Sequence, residues 1–325
     1  MRTETRAPMV RMSDVIGFLP LAIFVVVLVY IGLNAPNFLT LRNLELIVMQ
    51  SLPVILVCIG LAAVVMAGGD DVVSGGIDLS IPATAVLSAG ITAQLLSLDQ
   101  GLLVAALAAL GASLVVGVLN AVLVTRIGMT PLLATLAMFV AVVGVNNVVT
   151  SSRRINVDHP VINALRGTDV LGVPVGIVLV AALVAAGVFA LHRTRWGMNL
   201  QAAGGSRDAA EISGLAVDRL VAQSFVVAAL TGFVCGFFIL ARGSGSSPGV
   251  EDNLMLEMVL ATFLGAAFSP RRVVTMWGAV LGALLVAAIS IGFKSMGVDV
   301  FWTGLIKGSL IVVVVAFSAM SQRVR

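Results

Sequence analysis

Apolar and polar positions alternate along this chain in long blocks. About ten apolar runs, at residues 16–33, 46–66, 79–96, 102–124, 132–149, 175–191, 220–241, 254–268, 275–292 and 301–319, are separated by polar breaks. Most approach or reach the roughly 20 residues that carry an α-helix across a bilayer. The expected architecture is therefore an all-α polytopic membrane protein of about ten transmembrane helices, with residues 1–325 forming one membrane domain. The run at 254–268 is short for a span and is expected to tilt or to be partly broken. Residues 1–15 carry Arg2, Arg6 and Arg11 ahead of the first run. That run is too long, and lacks the small-x-small site, for a cleavable leader. It is expected to be a signal anchor with residues 1–15 as a cytoplasmic tail.

Two breaks are more than simple turns. Residues 67–82, AGGDDVVSGGIDLSIP, are too polar for lipid and too short for a domain. Gly68-Gly69 and Gly75-Gly76 admit backbone conformations closed to other residues. Asp70, Asp71 and Asp78 need partners, water or a protein-lined cavity at this depth. Asp78 is placed to cap the helix from Leu79, and the glycines let neighbouring segments pack closely; a mere loop-to-helix cap fits equally well. Residues 242–249, RGSGSSPG, form the second break, followed by Glu251, Asp252 and Glu257. The two breaks fall at matching places in two halves of about five runs each, and residues 117–120 and 282–285 open comparable turn-joined pairs. An odd number of crossings per half implies two inverted-topology halves with interrupted helices, the arrangement that brackets a central path.

Between the halves lies the longest polar passage in the middle of the chain, residues 192–219, HRTRWGMNLQAAGGSRDAAEISGLAVDR. Residues 206–214 read as one short helix. Ser206 or Asp208 can serve as N-cap, Asp208 and Glu211 form a capping-box-like pair, and Gly214 supplies a left-handed stop. Acids at the start complement the helix dipole.

Composition narrows the class. With 59% hydrophobic residues, 11% charged residues and a mean hydropathy of +1.11, a soluble globular domain is excluded. The 33 glycines suit close helix packing in lipid. The net charge of +3 comes mainly from arginines flanking the runs. No basic patch is interleaved with aromatics, so nucleic acid is not an expected partner. Arg126, Arg193, Arg195, Arg207, Arg219, Arg271, Arg272 and both tails fall on one side of the crossing pattern. Arg42, Arg153, Arg154, Arg166, Arg242 and Lys294 fall on the other. The bias over short loops puts both termini in the cytoplasm. Residues 151–174 then form a polar outer loop, either a docking surface or a solvated connector. Cys58 and Cys235 sit inside apolar runs, away from disulfide or metal chemistry.

Catalytic patterns have little support. Gly245-Ser246-Ser247-Pro248-Gly249 matches Gly-x-Ser-x-Gly, but the nucleophile elbow needs a strand–turn–helix and a nearby base. The chain has 2 histidines, His159 in a polar loop and His192 on the opposite side, and the segment reads better as a flexible loop. No metal-ligand cluster and no phosphate-binding loop occurs, so neither a catalytic residue, a cofactor nor a metal is expected. If transport is active, its energy must come from a separate ATPase or from an ion gradient. The latter would use ionisable residues in spans, with Lys307, Glu257 and Asp78 as candidates. Lys307 could snorkel, which is slightly favoured, pair with an acid on a neighbour, or point into a path.

Several stretches carry a family resemblance. Asp208-Ala209-Ala210 with Gly214 looks like the Glu-Ala-Ala-x-x-x-Gly coupling loop of ABC importer permeases, with Asp for Glu. The wider passage from Trp196-Gly197 through Ala203-Gly204-Gly205 to Ile212-Ser213-Gly214-Leu215 is similar to ribose/xylose/galactose-type sugar permeases. Gly75-Gly76-Ile77-Asp78-Leu79-Ser80, opening an apolar helix, is the most specific match. Gly282 and Phe301-Trp302 through Ile306-Lys307-Gly308 also resemble the family, and the likeness runs over roughly residues 40 to 318. Residues 264–272, LGAAFSPRR, depart from the family's Gly-Gly-rich stretch there.

The resemblance implies a non-catalytic permease subunit in the bacterial inner membrane, importing a monosaccharide or related polyol. Its partners would be a cytoplasmic ABC ATPase, a periplasmic substrate-binding protein, a second permease copy and membrane lipid. Ser206, Asp208, Ala209, Ala210, Glu211 and Gly214 would couple to the ATPase. ATP-driven closure would then tilt the two copies between inward-open and outward-open states. Gly75, Gly76, Asp78, Ser80, Asn120, Trp302 and Lys307 are the translocation-path candidates. The alternatives are a branched-chain amino-acid permease and a gradient-driven carrier or channel.

Overall fold

In a bilayer each backbone N–H and C=O must be satisfied within its own segment, so apolar runs of this length become helices. A computed structural model describes residues 12–69, 75–167, 169–170, 172–269 and 273–323. The chain forms α1 (Met12–Asn34), α2 (Leu41–Gly68), α3 (Ile81–Ser97), α4 (Leu102–Thr125) and α5 (Pro131–Thr150). Then come β1 (Ile155–Asn156), α6 (Pro160–Gly167), β2 (Asp169–Val170), β3 (Val173–Pro174), α7 (Val175–Arg193), α8 (Arg195–Gly205) and α9 (Arg207–Ile212). The last part is α10 (Val217–Gly243), β4 (Gly245–Ser246), α11 (Val250–Ala266), α12 (Met276–Ser295) and α13 (Val300–Arg323). Each apolar run of the sequence corresponds to one of the long helices, giving a polytopic all-α membrane protein. Among the described residues α2, α4, α5, α7, α10 and α12 are long and apolar enough to cross a membrane. The expected break in 254–268 is absent: α11 is one continuous helix of 17 residues, about 25 Å long. Arg2, Arg6, Arg11, Asp70, Asp71, Arg271, Arg272 and Arg325 lie outside the described residues.

Burial separates the centre of the bundle from its rim. In α2, 94% of the apolar window is buried, against 28% in α4, 28% in α5 and 22% in α7. The rim helices instead expose large apolar side chains such as Leu103, Leu133 and Val140, a surface that lipid would cover. Small residues let the central helices approach closely. Gly60 of α2 faces Ala228 and Thr231 of α10, Gly117 of α4 faces Phe225 and Ala229 of α10, and Gly282 of α12 lies against the Ala261 backbone of α11. Cys58 and Cys235 are free and buried in this core.

The packing repeats. α3 packs on α4, α5 and α10, while α11 packs on α12, α13 and α2. α2 packs on α12, as α10 packs on α4. The end of α2 meets α8, where the Met66 carbonyl abuts Gly204. α10 begins beside the same segment, through Gln223 on Trp196 and Asp218 on Arg207. Hence α2 and α10 run antiparallel, and the breaks that follow them lie at opposite ends of the bundle.

Candidate functional site

The polar passage between α7 and α10 is held by local hydrogen bonds and close packing. The Thr194 hydroxyl accepts from the Gly197 amide at 3.2 Å, and Gln201 Nε2 donates to the Leu191 carbonyl at 2.7 Å. A side chain at Gly197 would strike the carbonyls of Ala190 and Leu191, which explains a glycine at this corner. α8 is thereby fixed to the ends of α7 and α2.

α9 is capped by Ser206, whose hydroxyl accepts from the Ala209 amide at 3.4 Å. Asp208 is therefore not the cap; it sits in the first turn, where its charge complements the dipole. The capping-box pair of Asp208 and Glu211 does not form. Glu211 instead pairs with Arg207 at 3.0 Å, and Arg207 also reaches Asp218 of α10 at 2.6 Å. The Asp218 hydrogen bond holds the Arg207 pKa above its ordinary value. Gly214 adopts φ +84°, the expected left-handed stop. Ser206, Asp208, Ala209, Glu211 and Gly214 are exposed, whereas Ala210 is buried at 4%. Ala210 belongs to the face that seats the helix. Ile212, not among the coupling candidates from sequence, stands 88% exposed. The signal was available: two residues on from Ala210, about 200° around a helix, lies the opposite face.

The first break is buried throughout residues 75–80. Asp78 does not cap α3, which begins at Ile81 after Ser80. Its Oδ1 accepts from both the Ser80 amide, at 2.9 Å, and the Ser80 hydroxyl, at 2.7 Å. Asn120 Nδ2 of α4 donates to the same Ser80 Oγ at 2.7 Å, and the Leu79 amide donates to Thr135 Oγ1 of α5 at 3.1 Å. Asp78, Ser80 and Asn120, proposed separately from sequence, thus form one buried chain that ties the break to α4. A positive φ is needed at Gly69 (φ +92°) but not at Gly76. Gly76 is required instead by space, because a Cβ there would strike the Val64 carbonyl of α2.

The second break is pinned, contrary to a flexible loop. β4 pairs antiparallel with β1. Arg154 donates to the Gly243 carbonyl at 2.6 Å and to Ser247 Oγ at 3.1 Å, and Arg166 donates to Ser244 Oγ at 2.7 Å. Ser247, the would-be nucleophile, is held by an arginine. Residues 151–167 therefore close over the end of α10.

Lys307 does not snorkel. Its Nζ pairs with Glu257 Oε1 at 2.5 Å, joining α13 to α11, with both side chains largely buried. Glu257 also lines a cavity of about 500 Å³ shared with Asn43 and Gln50 of α2, Arg242 of α10, and Ser290 and Lys294 of α12. This cavity opens at the end opposite α9. Trp302 stands on the surface of α13, 61% exposed, apart from the buried chain around Asp78.

Residues 43–315 match the family model described as branched-chain amino acid transport system / permease component. A probable ABC transporter permease, y4mJ of Sinorhizobium fredii, is 30% identical over 92% of this chain and 87% of its own length. The ribose import permease RbsC of Escherichia coli is 26% identical over 91% and 92% of the two chains. The galactose/methyl galactoside import permease MglC of Salmonella typhimurium is 28% identical over 92% and 93%. No solved structure matches. With a membrane-embedded helical bundle, and with the family model and these relatives covering nearly its whole length, the chain belongs to this family of ABC importer permeases.

Proposed function

We propose that this chain forms the translocation path of an ATP-driven importer for a monosaccharide or related polyol, coupled to a separate cytoplasmic ATPase through α9. The observation behind the coupling role is α9 itself. It is a capped helix clamped between α8 and α10, and it presents Asp208, Ala209, Glu211 and the apolar Ile212 outward. A rigid mount transmits force, and an exposed apolar side chain ringed by charge suits a protein cleft. α8 carries that force to the end of α2, the central helix.

The cavity around Glu257 is assigned as the solute vestibule, receiving substrate from a periplasmic binding protein. Amides, a carboxylate, the hydroxyls of Ser290 and Ser295 and two cations beside Leu46, Ala287 and Ile291 fit a neutral polyhydroxyl solute. Asp78, Ser80 and Asn120 act as a brace for the first break, at a level roughly 7 Å inside the α4–α5 turn. The contact pattern of the two packing units supports an inverted pair of halves, and the arginine bias of the short loops supports α9 and both termini on the cytoplasmic side. A second copy completes the path, and Trp302 on the surface of α13 is available to it or to lipid.

The test is uptake of labelled monosaccharides in cells producing the chain with its ATPase and binding protein. Ile212→Asp with Asp208→Arg is expected to abolish ATPase co-purification and to cut uptake at least about tenfold, while membrane insertion is retained. Unchanged uptake would end the coupling role. Uptake by the chain alone in ATP-free vesicles would end the ATP-driven reading.

A further inference from the structure

A groove of about 560 Å³ lies between the last turns of α4, the start of α8 and the first turns of α10. Its walls are apolar, with Val118 and Val122 on one side and Ala222 and Val226 on the other. Its mouth holds two exposed arginines, Arg126 just past the end of α4 and Arg219 in the first turn of α10. No carboxylate lines it. Among the described residues neither arginine has an ion pair or a side-chain hydrogen bond, whereas Arg154, Arg166, Arg207 and Arg242 all have partners. Trp196 borders the same mouth, its indole N–H donating to Gln223 Oε1 at 2.9 Å, which fixes the ring in place.

The apolar wall runs on without interruption into the outer face of α4, where Val115, Val118 and Val122 are 58%, 49% and 40% exposed. That face is solvated by acyl chains. The two guanidinium groups sit at the helix ends, where spans leave the hydrocarbon and meet headgroups, and a tryptophan at that level is a usual interfacial anchor. A groove that is greasy along its length and doubly cationic at its mouth is complementary to one kind of molecule. Basic pockets between transmembrane helices bind anionic headgroups while the chains lie against the helices.

We infer that this groove is a binding site for an anionic phospholipid. Its phosphate is held between Arg126 and Arg219, and one acyl chain lies along Val118, Val122 and Val226. The site adjoins the segment that carries α9, since α8 supplies Trp196 and α10 supplies Arg219, so an occupied groove braces the mount of that helix. Lipid binding itself does not depend on the transport reading.

The chain has 3 tryptophans. Trp277 and Trp302 are 57% and 61% exposed, so Trp277→Phe with Trp302→Phe leaves Trp196 as the single reporter in a folded full-length protein. This protein is reconstituted in vesicles containing brominated phosphatidylglycerol or brominated phosphatidylcholine. Brominated phosphatidylglycerol is expected to quench Trp196 at a mole fraction roughly tenfold lower. Arg126→Gln with Arg219→Gln should remove that preference, Arg126→Lys with Arg219→Lys should retain most of it, and Arg195→Gln, at the same end but outside the groove, should leave it intact. Equal quenching by the two lipids in the parent protein would overturn the site. A preference that survives loss of both arginines, or falls equally with Arg195→Gln, would overturn it in favour of general surface charge. Quenching by neither lipid would mean that a protein surface, and not lipid, covers the groove.

Discussion

Asp78 shows how a residue can be found by sequence and still be given the wrong task. Its position after two glycines suggested a helix cap, but its carboxylate folds onto Ser80, and Ser80 in turn receives Asn120. Asp78→Ala is expected to destabilise the protein by roughly 1–3 kcal/mol, because a buried hydroxyl and amide lose their acceptor. Asp78→Asn, which keeps one acceptor oxygen, should cost less. Thermal midpoints in a fixed detergent check the order, and an Asp78→Ala midpoint equal to the parent's would refute the brace. Lys307 and Glu257 were each noticed as charges in apolar runs, yet no spacing rule relates residues on α13 and α11. Lys307→Met alone leaves a largely buried carboxylate unpaired and should cost up to about 3 kcal/mol. Adding Glu257→Met should restore stability to within about 1 kcal/mol, while altering uptake if Glu257 contacts solute. A double variant no more stable than the single one would contradict this pairing.

At the scale of elements, helix positions were legible because the bilayer allows so few alternatives. Run length alone located each long helix. What the runs did not reveal was which faces meet. Gly282 was matched to the family by sequence, but its reason lies in the Ala261 carbonyl that a Cβ would strike, and Gly265 and Gly278 approach each other the same way. α11 and α12 are therefore in backbone contact at more than one level. Gly282→Leu should force them apart and abolish the monodisperse species in size-exclusion chromatography, whereas Gly304→Leu, with open space around it, should be tolerated. Equal behaviour of the two would remove the packing explanation. The Gly/Ser break after α10 looked flexible because its composition is that of a linker. Arg154 and Arg166, some 80 to 90 residues earlier, make it rigid.

For the whole molecule, the arginine bias of the short loops predicts sidedness, and the pairing of β1 with β4 after α10 puts residue 152 at the end of the bundle opposite α9. The cysteines at 58 and 235 are buried, so single exposed thiols can be introduced against a silent background. A membrane-impermeant maleimide should label Ser152→Cys in intact spheroplasts and leave Ser213→Cys unlabelled until the membrane is opened. The reverse pattern would place α9 outside and remove any role in coupling. The passage that carries α9 was the most legible part of the chain. It is polar where its surroundings are not, and its cap and its stop are local features.

The amino-acid sequence by itself determined the class of molecule, the number and places of the long helices, and the capped helix between the halves. The first two follow from local composition under the constraint that backbone polar groups go unsatisfied in lipid, and the third from its own cap and stop residues. Only the tertiary structure decided what the individual residues do. It buried Ala210 under α9, exposed Ile212, paired Glu257 with Lys307 and left Arg126 and Arg219 facing an apolar groove. The physical reason is that a buried charge or amide is governed by the partner nearest in space, and in a bundle of antiparallel helices that partner is often far away along the chain.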